Sequence, residues 1–435
     1  MEQTMGGASA PSVSLSEEDR IYRKVGWRLA PFLVLCYIVS YLDRVNVGFA
    51  KLQMLQDLHL SETIYGLGAG IFFIGYFIFE IPSNLILHKV GAKLWIARIM
   101  ITWGLISAAM LFTNSPMTFY VLRFLLGAAE AGFFPGIILY LTYWYPNARR
   151  GRMTTFFMLA VPLSGLVGGP ISGWILASLS GANGLAGWQW LFLLEGLPSV
   201  IIGIAVLFLL DDRIEKAKWL TDSEKGVLAR NIAAEEPTKE DLPIGTVMAR
   251  LRVWAMAITY FAFVMGLYGV GFWMPTLIKQ TGVNSPLAIG FLTAIPNLFA
   301  IIGMILISRC SDRSRERRWH LAIPALFGAL GLFLTTMTTD VTMSMVALTV
   351  ANVGICTVLP LFWSQPTAIL GGTAAAAGIA LINSVGNLAG FVSPYLVGWL
   401  KDTTGTTNSG MYMLAVSLII GGLIALSHPA KLVNK

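Results

Sequence analysis

Four charged side chains lie in stretches that are otherwise apolar: Asp43 and Arg44 in YLDRVNVGFA, and Arg123 and Glu130 in FYVLRFLLGAAEAGFFPG. An arginine presents a planar fork of N–H donors that can hold a carboxylate through paired hydrogen bonds, geometry a lysine lacks. A carboxylic acid in an apolar medium is penalised for its charge and takes up a proton. Glu130 follows Arg123 by seven residues, close to two helical turns, so a helix presents both on one face. A proton on Glu130 or Asp43 would free a nearby arginine to meet an anion, which is the chemistry of proton–anion symport. The competing structural reading pairs Asp43 with Arg44 or Arg123 as an ion pair and gives Glu130 only a hydrogen bond to a neighbouring helix.

Other charges read more plainly. Glu80 in FEIPSN and Glu195 in FLLEGLPS are expected to hold helices or loops in place. Asp312 and Arg313 in ISRCSDRSRERR suit a gate or a helix-end charge network better than a ligand site.

The elements that must position these residues follow from composition. Of 435 residues, 56% are hydrophobic and 12% charged, with a mean hydropathy of +0.70. Soluble domains carry roughly 25% charged residues, and single cores stop growing near 250–300 residues. A bilayer is the sink for the excess apolar surface. Runs long enough to span it predict helices at 27–47, 64–84, 93–113, 118–142, 153–178, 188–210, 253–277, 287–308, 321–339, 342–365, 375–399 and 410–428. The fold class is therefore all-α, with twelve transmembrane helices. Span 1 runs outward and span 4 inward, which puts Arg123 ~8–10 Å below the outer face and Glu130 ~10 Å deeper.

Orientation follows from basic residues. With a cytoplasmic N-terminus, every lysine and arginine except Arg44, Lys51, Arg123, Lys279 and Lys401 falls on the cytoplasmic side. The expected organisation is a cytoplasmic tail at 1–20, a six-helix bundle at 21–210, a cytoplasmic central loop at 211–250, a second six-helix bundle at 251–428 and a tail at 429–435. Thr221 and Glu224 form a capping-box spacing inside that loop. No signal peptide is evident in residues 1–16. The halves echo each other: Gly165, Gly169, Pro170 and Gly173 in span 5 match Gly386, Gly390, Pro394 and Gly398 in span 11. Small residues let helix backbones approach, and duplicated halves around a central site recur in transporters.

Several classes are disfavoured. Cys36, Cys310 and Cys356 form no C-x-x-C pair, and no metal site is expected. The pI of about 9.3 comes from scattered loop residues, so no nucleic-acid partner is expected. Neither H-E-x-x-H nor G-x-x-x-x-G-K-[ST] occurs, which argues against a membrane enzyme of those kinds and against ATP-driven pumping.

YLDRVNVGFA (41–50), GIFFIGYFIFEIPSNLIL (70–87), FYVLRFLLGAAEAGFFPGIILYLTYWYP (119–146), GWQWLFLLEGLPS (187–199) and LFWSQPTAILGGTAAAAGIALINSVGNLAGFVSPYLVG (361–398) together resemble the anion:cation symporter family of the major facilitator superfamily. The resemblance covers about residues 20 to 428 and implies two pseudo-symmetric six-helix bundles working by alternating access. It implies that Asp43 and Glu130 couple protons and that Arg44 and Arg123 engage substrate or the coupling pair. It further implies that Tyr41, Tyr76, Trp363, Thr367 and Asn383 line the cavity. The loop motif of the superfamily survives in SDRSRERR (311–318), whereas HKVGAKLW (88–95) lacks the usual Asp-Arg. The implied activity is import of a small organic carboxylate with protons, a tartrate-like hydroxy acid being favoured. Phthalate, hydroxyphenylacetate, nicotinate and sugar-acid carriers share much of the same text. The proton is the coupling ion and no other cofactor is expected. The expected setting is a monomer in the lipid bilayer of a bacterial inner membrane, with both termini cytoplasmic.

Overall fold

Among the described residues, twelve helices are long and apolar enough to cross a bilayer, matching the expected spans one for one. In order they are Glu17–Asp57, Glu62–Leu87, Ala92–Phe112, Pro116–Thr142, Phe156–Ser178, Gly187–Leu209, Leu251–Gln280, Pro286–Ser314, Arg318–Thr335, Val341–Pro366, Gly378–Thr404 and Asn408–Ser427, here spans 1 to 12. The computed structural model describes residues 15–146, 149, 153, 156–234, 249–369 and 372–433, and excludes the side chains of 15–16, 88, 367–369, 372–377 and 431–432.

Local sequence explains where several spans begin. Ser61, Ser285 and Asp340 each accept a hydrogen bond from a backbone N–H in the first turn of spans 2, 8 and 10. Ser115 and Thr118 cap span 4 reciprocally. These side chains satisfy donors that a helix start leaves open. All four lie on the bundle face away from the N-terminus, where the connections are short.

Several spans expected to be continuous are interrupted, spans 1, 4 and 10 most instructively. Span 1 passes from Leu15–Val45 to Val47–Asp57 across Asn46, and so extends well beyond the expected end at residue 47. Span 4 changes from Pro116–Glu130 to Phe133–Thr142 across Ala131 and Gly132. Gly132 has φ +85° and lies so near Ser83 that a Cβ would meet its Oγ at 2.4 Å. Pro135, which has no N–H to offer the Ala131 carbonyl, helps to end the first segment. In span 10, Val341–Phe362 gives way to Ser364–Ile369 across Trp363.

The two halves meet along two long helix pairs, span 5 against span 8 and span 2 against span 11. The pairing exchanges equivalent helices, as a pseudo-twofold relation requires. The glycines that repeat between spans 5 and 11 lie in these seams. A Cβ on Gly169 would stand 2.7 Å from the Gly290 carbonyl oxygen, and one on Gly398 would stand 2.3 Å from that of Glu62.

The central segment packs beside the N-terminus. Its helix, Asp222–Ala233, opens with the expected Thr221–Glu224 capping box. Lys24 pairs with Glu224 at 2.7 Å, and Asn231 donates to the Tyr22 hydroxyl at 3.3 Å. This face of the bundle, called the terminal face below, is opposite the far face that carries the capped helix starts.

Candidate functional site

Span 1 delivers three polar side chains within about one turn, and helical rotation sends them to different places. Ser40 and Arg44 are four residues apart and share a face. Both reach Glu130 at the end of the first segment of span 4: the Ser40 hydroxyl donates to Oε1 at 2.8 Å, and Arg44 forms an ion pair with the same oxygen. Asp43 turns the other way. It accepts from Trp103 Nε1 at 3.1 Å, Ser107 Oγ at 2.8 Å and Ser199 Oγ at 2.5 Å, deep among spans 3 and 6.

Arg44 also crosses the boundary between halves. Its Nη1 donates to the Tyr268 hydroxyl of span 7 at 2.7 Å. The rings of Tyr41, Phe72, Phe73 and Tyr76 surround the guanidinium at 5.3 to 6.0 Å from its carbon. Such faces attract a cation while excluding water.

A cavity opens on this arginine from between the halves. Tyr37, Tyr41, Arg44 and Tyr76 line it from the first half, and Tyr260, Tyr268, Asn383 and Asn387 from the second. Its remaining wall is mostly apolar, including Phe134, Val161, Met304 and Leu359. Among the described lining residues Arg44 carries the positive charge. This wall can neutralise one carboxylate, hydrogen-bond hydroxyls and stack against a flat group.

The expected site residues divide into three groups. Arg44, Tyr41, Tyr76 and Asn383 line the cavity, and Asn383 Nδ2 donates to Glu80 Oε1 across the halves at 2.9 Å. Glu130 stands behind Arg44, and Trp363 lies edge-on to Tyr260 at 4.9 Å, one residue removed from the wall. Arg123 and Asp43 face elsewhere. Arg123 is 0% exposed and donates to the backbone carbonyls of Gly68, Ala69 and Arg44 at 3.2–3.4 Å, tying span 4 to spans 1 and 2. The structure therefore pairs Glu130 with Arg44, and Asp43 meets hydroxyls and an indole rather than Arg44 or Arg123, as the competing structural reading would have had it. The Thr367 side chain lies outside the described residues.

Asp312 and Arg313 do not pair. Asp312 meets Arg317 at 2.6 Å, and Arg315 closes the helix with φ 52°.

Sequence reading missed a second charged cluster at the far face. Lys51 of span 1 pairs with Glu62 of span 2 at 2.6 Å and lies 3.3 Å from the ring centre of Trp273 in span 7. Lys401 of span 11 pairs with the other Glu62 oxygen, and Asp402 accepts from the Thr63 N–H at 2.7 Å. Glu62 thus joins a cation from each half. The available signal was the pair of lysines left on the sparsely basic side, with Glu62 and Asp402 near them. Tyr37, Tyr260, Tyr268 and Asn387 gave no sequence signal that distinguishes a cavity wall from ordinary packing.

Comparison with known proteins gives a family, close relatives and a structural match. The model described as Major Facilitator Superfamily matches residues 33–394. An Agrobacterium vitis protein provisionally named a tartrate transporter is 52% identical over 94% of this chain and 91% of its own length. A Pseudomonas putida protein provisionally named metabolite transport protein NicT is 50% identical over 95% and 96% of the two chains. Among solved structures, a bacterial homolog of the human lysosomal transporter Spinster, crystallised in an inward-facing and occupied conformation, superposes with a TM-score of 0.70. It is 16% identical and covers 93% of this chain and 96% of that one.

Proposed function

The chain belongs to the major facilitator superfamily, a multi-pass secondary transporter and not an enzyme, and on that premise we propose that it carries a small organic carboxylate by proton symport. The observation that carries the proposal is the position of Arg44: it faces the cavity, touches the opposite half through Tyr268 and is paired with a buried Glu130. With Glu130 ionised, the guanidinium is engaged. A proton on Glu130 removes the partner's charge and releases Arg44 to hold an incoming carboxylate through two hydrogen bonds. The substrate then binds between the halves, where their relative motion decides which face it meets. Asp43 is a second proton-coupling carboxylate in this reading, and Arg123 acts through the backbone it holds rather than by touching substrate.

A tartrate-like hydroxy acid is the favoured cargo. Arg44 matches one carboxylate, while tyrosine hydroxyls and the amides of Asn383 and Asn387 suit hydroxyls and a second carboxyl. The name of the Agrobacterium vitis relative supports this choice. An aromatic acid is the second reading, favoured by the rings of Tyr41, Tyr76 and Tyr260 on the same wall. The Glu62 cluster is assigned as the gate closing the far face. Residues 1–20, 211–250 and 429–435 are assigned to the cytoplasm, and residues 21–210 and 251–428 to the two bundles in a bacterial inner membrane. The basic terminal face supports that orientation.

The test is a thermal-shift screen of the purified protein with tartrate, nicotinate, phthalate and gluconate. A bound ligand stabilises the folded form. At least one acid is expected to raise Tm in the wild type and to lose that effect in Arg44→Ala. Equal stabilisation of both proteins by the same acid would remove Arg44 from the site.

A further inference from the structure

Behind the Arg44–Glu130 pair, away from the cavity, spans 1, 3, 5 and 6 enclose a second polar compartment. Asp43 occupies one end, held by Trp103, Ser107 and Ser199. Glu195 lies one helical turn before Ser199 on span 6, which places the two carboxylates in the same layer of the bundle. Glu195 is 2% exposed and accepts from the Ser172 hydroxyl of span 5 at 2.6 Å through Oε1.

The compartment has unfinished hydrogen bonding. Asn46, at the break in span 1, is 1% exposed and its side chain is directed at Glu195. Both Asn46 amide atoms and Glu195 Oε2 nevertheless complete no hydrogen bond among the described residues. The described groups that meet the two carboxylates are uncharged, with no cation among them. Two negative charges in one apolar enclosure repel strongly, and unmatched buried polar atoms are costly. A proton shared between the two carboxylates relieves the repulsion.

We propose that Glu195 is a proton-binding site of this carrier, sharing with Asp43 a proton distinct from the one taken up at Glu130. The exchange is balanced: protonated Asp43 with ionised Glu195 becomes ionised Asp43 with protonated Glu195. One proton moves and the charge of the compartment is unchanged. Its consequence lies at Arg44, the next residue along span 1. An ionised Asp43 competes with Glu130 for the arginine's charge, whereas a protonated Asp43 leaves it to Glu130. The compartment therefore sets how readily the ion pair at the cavity opens.

The consequence for transport rests on the proton-symport reading, but occupancy of Glu195 is measurable without transport. Infrared difference spectra of the full chain in phosphatidylcholine vesicles, with pH as the only variable, report protonated carboxyl groups directly. The wild type is expected to show a protonated carboxyl band at neutral pH that is lost or reduced in Glu195→Gln. Asn46→Leu and Ser172→Ala keep the carboxyl but change its hydrogen bonding, and each is expected to shift the band. These two variants keep the proposal testable if Glu195→Gln fails to fold. A band that is the same in all the folded variants as in the wild type overturns the proposal. Absence of proton-driven uptake by a wild type that shows the band would defeat the symport reading alone.

Discussion

Arg44 donates to the Tyr268 hydroxyl at 2.7 Å, so the guanidinium paired with Glu130 in the first half is also held by the second. Tyr268 is itself fixed by rings on both sides, with Phe73 of span 2 at 4.3 Å and Phe272 of its own span at 5.9 Å between ring centres. A change in the pairing of Arg44 is therefore felt across the boundary along which the halves move.

Tyr268→Phe keeps the ring and deletes this one bond. Hydrogen bonds to charged groups contribute about 1.5–3 kcal/mol, so affinity for the transported acid should fall by roughly tenfold or more at that energy scale. Titration by calorimetry, alongside a Tm within a few degrees of wild type, checks this. Unchanged affinity would mean that Tyr268 only packs.

Lys401→Met removes the second-half cation from Glu62 and leaves Lys51 in place. A partly exposed ion pair contributes up to ~1 kcal/mol, enough to shift a gate equilibrium by about fivefold. A cysteine at Thr276, buried in span 7 three residues beyond Trp273, in a chain freed of Cys36, Cys310 and Cys356, should then react faster with an impermeant maleimide from the far face. Equal rates with and without Lys401 would remove the cluster from the gate.

Gly132→Ala tests the break in span 4. The left-handed backbone and the approach to Ser83 leave no room for a Cβ, and backbone strain of this kind costs ~1–3 kcal/mol. A lower Tm with weakened driven uptake is expected, because Glu130 ends the segment that Gly132 redirects. A Tm at or above wild type would show that the turn is easily remade.

The pairing of Lys24 with Glu224 gives a pH prediction at the terminal face. Partial burial pushes the Glu224 carboxyl up, but Lys24 and the Thr221 cap outweigh it and hold it below its ordinary value. A lowered carboxyl stabilises the docked helix above its unfolded pKa and loses that contribution as pH falls through the folded one. Hydrogen exchange in residues 222–233 should therefore quicken relative to neighbouring helices on acidification below the ordinary carboxylate range. Lys24→Met should weaken that pH dependence to the part that the Thr221 cap supplies, and a pH dependence equal to the wild type's would assign the docking to other contacts.

The spans were legible because each must fill the bilayer with apolar residues, whatever its neighbours are. Arg44 and Glu130 were legible as costly charges in such runs. Their partnership was not, because neighbouring helical residues diverge by ~100°. Only the rotation of span 1 decides that Arg44 faces Glu130 while Asp43 faces Trp103 and Ser199. Arg123 read as a ligand because its charge is conspicuous, yet backbone carbonyls of spans 1 and 2 take its Nε and Nη2 donors. The break after Glu130 was written in Gly132 and Pro135, but a packing glycine and a helix-kinking proline carry the same letters. Lys401 stands far from Lys51 and Glu62 in sequence, and only the closure of span 11 against spans 1 and 2 brings them together.

The most direct test of proton-coupled carriage is uptake into proteoliposomes of an acid identified by the thermal-shift screen, with and without an imposed inward proton gradient. The wild type should accumulate the acid above equilibrium only with the gradient. Glu130→Gln should lose that accumulation while still exchanging the acid across the membrane at zero gradient. Wild-type accumulation indifferent to the gradient would contradict symport, and gradient-driven accumulation by Glu130→Gln at the wild-type level would contradict the role given to Glu130.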